Sequence, residues 1–186
     1  MCGIAGIFDT RADQPGLKDL ETMTKILQHR GPDDQGFLAV RTEEAKALES
    51  RDPGKLMHFS QDKRPDLWLG HQRLSIIDLS EAGHQPMSIR NGLLWIVYNG
   101  EVYNYLELRE ELESLGHHFR SRTDTEVILH AYDEWGTDCL RRFNGMWAFA
   151  IADLISKRIF CSRDRAGVKP FYYIYDGRRF CFASEI

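Results

Sequence analysis

The chain has 186 residues, 42% of them hydrophobic, which is enough to bury one substantial core. Its formal net charge of −4 argues against a nucleic-acid partner, because such a partner needs a clustered basic face. No apolar run approaches the roughly 20 residues that span a bilayer, and the first residues lack a basic secretory leader. The four cysteines form no CxxC pair. We therefore expect one cytoplasmic domain without membrane or nucleic-acid partners.

The first third of the chain predicts a strand, a helix and a second strand. Ile4–Phe8 is small and apolar, which is typical of a buried strand. Apolar residues recur at helical spacing over Leu17–His29, and a Gly-Pro pair then ends the helix. Phe37–Val40 has strand character. Residues 41–66 are charged and lack a clear period, so we interpret them as an excursion over the surface.

The middle of the chain combines strands with helices. A helix is predicted from Asn104, a good N-cap with Glu107 three places on, to Gly116. A further helix is predicted at Asp124–Trp135, followed by a helical turn at Asp138–Phe143. Strand character is found at Leu67–Gly70, Leu74–Ile77 and Leu93–Tyr98.

The last part of the chain predicts a succession of strands. Asp176-Gly177 between the last two is a two-residue hairpin signal. Sheet segments thus lie on both sides of a helical stretch without a βαβ rhythm, which favours an α+β fold with helices layered on largely antiparallel sheets. The strands are Met146–Asp153, Arg158–Ser162, Phe171–Tyr175 and Arg179–Ala183.

Cys2 is the first candidate for chemistry. A thiol is a strong nucleophile, but it needs a nearby base to become a thiolate. Removal of Met1 would free the α-amine of Cys2, and the ordinary pKa of such an amine, about 7.7–8.0, leaves it partly neutral in cells. One residue could then supply both nucleophile and base. The alternative is that Cys2 is merely a small residue beside a glycine.

Asn99-Gly100 is the second candidate, because it follows the apolar strand. The pair is a turn signal, and an ordinary hairpin turn is the alternative interpretation. The Asn99 amide and the Gly100 backbone N–H can also form an oxyanion hole, in which one donor is worth about 3–4 kcal/mol in the transition state. The two interpretations are compatible, since the turn would aim the donors.

Arg73 and Asp124 carry charges that suit an amino acid. Arg73 lies at the junction of two apolar strand segments, where its guanidinium could hold an α-carboxylate through two hydrogen bonds. Asp124 begins a predicted helix and could hold an α-ammonium. A structural ion pair is the alternative for Arg73, and an N-cap is the alternative for Asp124.

Six short motifs occur together along the chain: Met1–Ile4, His29–Asp33, Arg73–Ile76, Tyr98–Glu101, Thr123–Val127 and Arg163–Pro170. In this order and spacing they resemble the class II glutamine amidotransferase domain, which has an N-terminal nucleophile. Arg73–Ser80 together with Gly83–Met87 makes the chain most similar to the glutaminase domain of glutamine-hydrolysing asparagine synthetases. The resemblance covers nearly all of residues 1–186.

The resemblance implies a four-layer αββα sandwich of two largely antiparallel sheets. It implies that Cys2 is the nucleophile, that its own amine is the base, and that Asn99 and Gly100 form the oxyanion hole. His29–Asp33 and Arg163–Pro170 would shape loops around the pocket rather than take part in the chemistry.

The resemblance also implies how the substrate is held. Arg73 and Asp124 would bind the α-carboxylate and α-ammonium of L-glutamine. Glu101 would contact the polar end of the substrate, and backbone groups near Leu74 and Ile76 would complete the pocket.

The partners follow from the same resemblance. Ammonia would pass to a C-terminal synthetase domain or subunit that makes asparagine from aspartate, and a homodimer would fit. The ATP-binding loop of that synthetase, a Ser-Gly-Gly-x-Asp-Ser pattern, is absent from this sequence. We therefore expect no cofactor for the glutaminase half, and expect ATP and Mg²⁺ only in the synthetase domain. The segment 41–66 is longer than the segment that family members usually have between these motifs.

Other functions receive less support from the sequence. His117 and His118 are adjacent rather than at i, i+4, so no metal site is predicted. Gly167–Lys169 lacks the rest of a phosphate loop. Two alternatives remain, an amidotransferase for a sugar, peptide or secondary metabolite and a non-catalytic scaffold domain that kept the fold.

Overall fold

The computed structural model describes residues 1–11, 16–59 and 63–186, and in these it forms ten strands and four α-helices. None of these helices has the length and hydropathy to cross a membrane. The strands are β1 (Gly3–Asp9), β2 (Asp34–Arg41), β3 (Lys46–Ser50), β4 (Leu67–Arg73), β5 (Met87–Ile89), β6 (Leu94–Val102), β7 (Gly145–Asp153), β8 (Arg158–Arg163), β9 (Tyr172–Tyr175) and β10 (Arg179–Ala183). The helices are α1 (Gly16–Ile26), α2 (Pro53–Phe59), α3 (Tyr105–Ser114) and α4 (Asp124–Trp135).

The strands form two antiparallel sheets. One sheet has the order β3-β2-β4-β1-β10-β9, and the other has the order β5-β6-β7-β8. Helices α1 and α2 pack on the outer face of the six-stranded sheet, whereas α3 and α4 pack on the outer face of the four-stranded sheet. The predicted α+β class and the four-layer αββα sandwich are therefore confirmed.

The period-2 pattern of the strands places the core between these layers. In β7, Trp147 and Phe149 face the helices, while the intervening Ala148 and the next alanine, Ala150, face the other sheet. These alanines are small, so they let the two sheets approach. Fully buried side chains from the six-stranded sheet, such as Leu69, fill the space opposite them.

The segment 41–66 is not an irregular excursion, so that interpretation was wrong. Its described residues contain β3, which pairs with β2, and α2, which buries Leu56 completely. Strand β3 is a half-exposed edge strand with a single large apolar residue, Leu48, and α2 has only two turns. Neither element therefore shows a clear hydrophobic periodicity in the sequence. Residues 60–62 lie outside the described residues.

Two strand predictions also need correction. Leu74–Ile77 is not a strand, because β4 ends at Arg73 and the apolar Ile76 and Ile77 are 61% and 40% exposed. The short strand β5 was not predicted. The hairpin at Asp176-Gly177 exists, but three residues rather than two separate its strands.

The predicted capping box at Asn104 is wrong, although α3 does begin at the next residue. The Asn104 side chain donates to the Arg142 carbonyl (2.9 Å) and accepts from the Asn144 amide (2.9 Å) instead of capping the helix. A tertiary contact with the segment before β7 therefore takes precedence over the local cap.

Candidate active site

Cys2 lies just before β1, beside the end of β4. Its Sγ accepts a hydrogen bond from the Leu74 amide at 3.4 Å and lies 3.7 Å from the Leu74 carbonyl oxygen. The Cys2 carbonyl accepts a hydrogen bond from Arg30 Nε (3.0 Å), and Arg30 in turn pairs with Glu185 (2.8 Å). Segments that are distant in sequence thus fix the position of the thiol.

The environment of Cys2 favours a neutral thiol. Burial raises the pKa of the Cys2 thiol, while the hydrogen bond from the Leu74 amide and the positive charges of the terminal amine and Arg73 oppose the increase. An ordinary cysteine has a pKa of about 8.5, so this sulfur is protonated at neutral pH. A nucleophilic role therefore requires a base that takes the proton during attack.

Asn99 and Gly100 lie inside β6, so the turn interpretation was wrong. Asn99 is 1% exposed, and its Nδ2 atom has no hydrogen-bond partner among the described residues. A β-carbon on Gly100 would overlap the Met146 carbonyl and lie 2.8 Å from the Trp147 Cα. Only glycine fits there, because the neighbouring backbone of β7 approaches too closely for a side chain.

The backbone alternation of β6 indicates where the Gly100 N–H points. The Tyr98 amide donates to Gln85 Oε1 (2.7 Å) and the Val102 amide to Asp124 Oδ2 (3.0 Å), both on the edge away from β7. Gly100 stands midway between these two residues, and alternate residues of a strand direct their N–H groups to the same edge. The N–H of Gly100 therefore points away from β7, toward the same edge of β6 as the Val102 amide that contacts Asp124.

Asp124 is the first residue of α4 but not its N-cap. Thr123 is the cap, and its hydroxyl accepts from the Glu126 amide (3.2 Å). The Asp124 carboxylate instead reaches β6, where Oδ2 accepts hydrogen bonds from the Tyr98 hydroxyl (2.8 Å) and the Val102 amide (3.0 Å). Burial raises the pKa of Asp124, and these two hydrogen bonds limit the increase.

Arg73 is the last residue of β4 and is 7% exposed. Its guanidinium donates to the carbonyl oxygens of Ser80 (3.0 Å) and Asp78 in the loop that follows. These are backbone oxygens, so the structural ion pair considered as an alternative is not what holds the side chain. A β-carbon on Gly83 would overlap the guanidinium, which makes Gly83 part of the Arg73 pocket. The guanidinium has five N–H donors, so further donors are left for a carboxylate.

The residues that the sequence singled out lie around one cleft. Leu74 and Ile76 belong to the loop that was wrongly predicted as a strand, and Glu101 extends β6 beyond the glycine. The cleft thus combines a thiol, an unpartnered amide, a buried cation and a buried carboxylate. The eight predicted residues on its wall are Cys2, Arg73, Leu74, Ile76, Asn99, Gly100, Glu101 and Asp124.

Sequence reasoning missed several residues of the same cleft. Gln85 bridges the Tyr98 amide and the Thr125 hydroxyl, the latter at 3.3 Å. Lys169 is 6% exposed and its Nζ lies 3.4 Å from Met1 Sδ. Gln85 and Lys169 lie in motifs on which the family resemblance depends, so these motifs could have identified both residues.

Comparison with known proteins places this site in a family. The family model described as glutamine amidotransferase domain matches residues 1–48 and 39–186, which together span the chain. The chain belongs to the glutamine amidotransferase domain family. This amidotransferase domain is also 44% identical to a Methanocaldococcus jannaschii protein provisionally named asparagine synthetase (glutamine-hydrolysing) 2, over 100% of this chain and 34% of the relative.

Two Bacillus subtilis proteins are also similar to this chain, one in sequence and one in fold. Asparagine synthetase (glutamine-hydrolysing) 3 is 38% identical over 100% of this chain and 27% of its own length. The solved structure of the glutamine phosphoribosylpyrophosphate amidotransferase has a TM-score of 0.74 at 23% identity, covering 98% of this chain and 42% of the other, and it shows a shared fold. The chain spans about a third or less of the curated relatives it matches.

Proposed function

We propose that this domain hydrolyses the side-chain carboxamide of L-glutamine to glutamate and ammonia through a thioester on Cys2. The observation that carries the proposal is the pairing of a positioned thiol with the buried, unpartnered amide of Asn99 on one cleft. A buried donor without a partner costs about 1–3 kcal/mol, and of the described side chains with such an atom only Asn99 lines the cleft, where a ligand could complete it.

The proposed reaction begins with removal of Met1, which frees the α-amine of Cys2. This amine takes the thiol proton while Sγ attacks the carboxamide carbon, and the carbonyl electrons move to oxygen. Asn99 Nδ2 and the Gly100 N–H donate to that oxyanion. Collapse of the intermediate returns the proton to the departing nitrogen, so ammonia leaves and a γ-glutamyl thioester forms. Water, activated by the same amine, then releases glutamate and the thiol.

The charged side chains of the cleft would hold the amino-acid end of the substrate. In this proposal, guanidinium donors of Arg73 that remain beside its two carbonyl contacts bind the α-carboxylate. Asp124 binds the α-ammonium, and the two donors to its Oδ2 keep the carboxylate oriented. Leu74, Ile76 and Glu101 line the same cleft. In this proposal Glu101 contacts the polar end of the substrate, and backbone groups near Leu74 and Ile76 complete the pocket.

The use of the ammonia is proposed to lie outside this domain. We infer that it serves ATP-dependent asparagine synthesis from aspartate in a C-terminal synthetase domain or subunit, where ATP and Mg²⁺ would bind. The glutaminase half is proposed to need no cofactor. A cytoplasmic location and a homodimer remain predictions, which cell fractionation and sedimentation would test.

Glutamate release from L-glutamine tests the glutaminase proposal. Cys2→Ala should abolish release, whereas Cys161→Ala should leave it within about twofold of the unsubstituted domain, because Cys161 lies on β8 away from the cleft. Equal release by the unsubstituted domain and Cys2→Ala would leave the scaffold interpretation in place. Release of glutamate without amidation of aspartate in the full-length protein would point to another acceptor.

A further inference from the structure

A pair of histidines faces each other on the far part of α4, outside the glutamine cleft. His117, in the segment after α3, places its Nδ1 atom 3.0 Å from Nδ1 of His130 on α4. The two rings meet edge to face, with centroids 4.9 Å apart. A carboxylate oxygen of Asp133, three residues further along α4, lies within 4.8 Å of a ring nitrogen of each histidine.

The outer nitrogens of the two rings differ in their surroundings. Nε2 of His117 lies 3.0 Å from Glu134, and that carboxylate favours the N–H on Nε2 and leaves a lone pair on Nδ1 of His117. Nε2 of His130 is buried and has no hydrogen-bond partner among the described residues, since Glu126 is 3.8 Å away. The two Nδ1 atoms are close enough to share a proton in a hydrogen bond, and a cation between them would replace that proton once His130 carries its N–H on Nε2.

The spacing fits a transition-metal ion. Zinc binds imidazole nitrogen at about 2.0–2.1 Å, so two such ligands of one ion stand about 3.3–3.4 Å apart at the tetrahedral angle, slightly more than the 3.0 Å between the two Nδ1 atoms. Histidines that bind metal almost always donate their other N–H to a carboxylate or carbonyl, as Glu134 allows for His117. His130 is 8% exposed, and the edge-to-face ring of Phe119 (4.5 Å) shields it further.

We propose that His117 Nδ1, His130 Nδ1 and the Asp133 carboxylate form a binding site for a divalent transition-metal ion such as zinc. The ion would clamp the segment after α3 to α4. His130 lies six positions after Asp124 along α4, about 9 Å, so the ion would stabilise this helix without touching the substrate. Arg90 Nε, 2.6 Å from Asp133, would compete with the ion for that carboxylate.

The sequence-based expectation of no metal site considered only spacing along the chain. His117 and His130 are 13 residues apart and belong to different elements, so no spacing rule connects them. The fold brings them together because α3 and α4 pack as neighbours on the four-stranded sheet. The site is independent of the proposed glutaminase reaction.

Titration of the metal-free domain with cobalt(II) tests the site, because cobalt absorption distinguishes nitrogen and oxygen ligands from thiolates. We expect one equivalent to bind without a thiolate charge-transfer band, and zinc to displace it and raise Tm. His117→Ala and Asp133→Asn should each weaken binding at least about tenfold. His118→Ala is the matched control and should bind normally, since its side chain is exposed and belongs to no cluster.

Three results would overturn the metal site. They are the absence of one-to-one binding by the folded domain, a thiolate band that Cys2→Ser removes, and equal affinity in His117→Ala, Asp133→Asn and the control. Asp133→Asn keeps the shape of the side chain, so it remains informative if His117→Ala does not fold. In each of these cases the two imidazoles would share a proton rather than a metal ion.

Discussion

Asn99 combines features that usually exclude each other in a folded protein. Its side chain is 1% exposed, yet Nδ2 has no partner among the described residues. We predict that Asn99→Leu lowers kcat for glutamate release by about 10²–10³-fold, because an oxyanion donor is lost. The free energy of unfolding should stay equal or increase, since an unsatisfied buried amide costs about 1–3 kcal/mol. Steady-state kinetics and thermal unfolding measure the two effects.

Asn104→Leu is the matched control for Asn99→Leu. Asn104 makes two tertiary hydrogen bonds and does not line the cleft, so its loss should lower stability and leave kcat nearly unchanged. If Asn99→Leu lost stability as Asn104→Leu does, with kcat unchanged, Asn99 would be a structural residue.

Tyr98 links the buried carboxylate of Asp124 to β6. Its hydroxyl donates to Asp124 and thereby favours the ionised carboxylate, so removing it raises the pKa of Asp124 further. We predict that Tyr98→Phe increases KM for glutamine more than it lowers kcat. KM rises as pH falls and Asp124 is protonated, and in Tyr98→Phe this rise should begin at a higher pH. Identical KM profiles between pH 4 and 8 would show that Asp124 does not bind the ammonium.

At the scale of elements, the loop after β4 packs around the side chain of Arg73. A β-carbon on Gly83 would overlap the Arg73 guanidinium, so Gly83→Ala should displace it. We predict that KM for glutamine rises by about tenfold, equivalent to about 1.4 kcal/mol of lost binding. Gly54→Ala is the control, because it lies exposed in α2, away from the cleft. An unchanged KM in Gly83→Ala would remove Arg73 from the proposed binding site.

Helices and strands with a regular spacing of apolar residues were predictable from sequence, whereas elements whose conformation depends on tertiary contacts were not. The helix α4 and the strand β7 were found within one residue, because each buries a regular apolar face. Leu74–Ile77 resembles a strand, but its apolar side chains lie at the cleft and in solvent. Asn99-Gly100 resembles a turn, but pairing with β7 keeps it extended.

The site was predictable only where a local motif carried the signal. Cys2, Asn99 and Asp124 stand in motifs, and the structure places them on one cleft. Gln85 also stands in a motif, but its hydrogen bonds to Tyr98 and Thr125 join three separate segments, so no local pattern reveals these contacts. The contact between His117 and His130 was not predicted for the same reason.

For the whole molecule, Glu126 is one of the carboxylates that couple stability to pH in acid. Its buried carboxylate accepts hydrogen bonds from the Arg120 and Ser121 amides and the Ser121 hydroxyl. Burial alone would raise the pKa of Glu126, but His130 and these donors lower it to about 2. The folded pKa lies below the unfolded value of about 4.3, so this stabilisation is present above pH 4.3 and is lost as pH falls toward 2.

We therefore predict that Glu126→Gln lowers the free energy of unfolding by about 2–3 kcal/mol at pH 7, with a difference that vanishes near pH 2. Urea unfolding at several pH values measures it. Glu110→Gln, on the exposed face of α3, is the control and should change the free energy of unfolding by less than about 0.5 kcal/mol at pH 7. A difference that stays constant with pH would show that the ionised carboxylate is not the stabilising species.

The central claim is that the amine and thiol of Cys2 act together as the reactive unit of the domain. Acid quenching during turnover of glutamine, followed by mass spectrometry of the N-terminal peptide, tests it most directly. We predict a peptide that begins at Cys2, lacks Met1 and carries one γ-glutamyl group on sulfur. An active preparation that retains Met1, or one that carries the acyl group on another residue, would contradict the account.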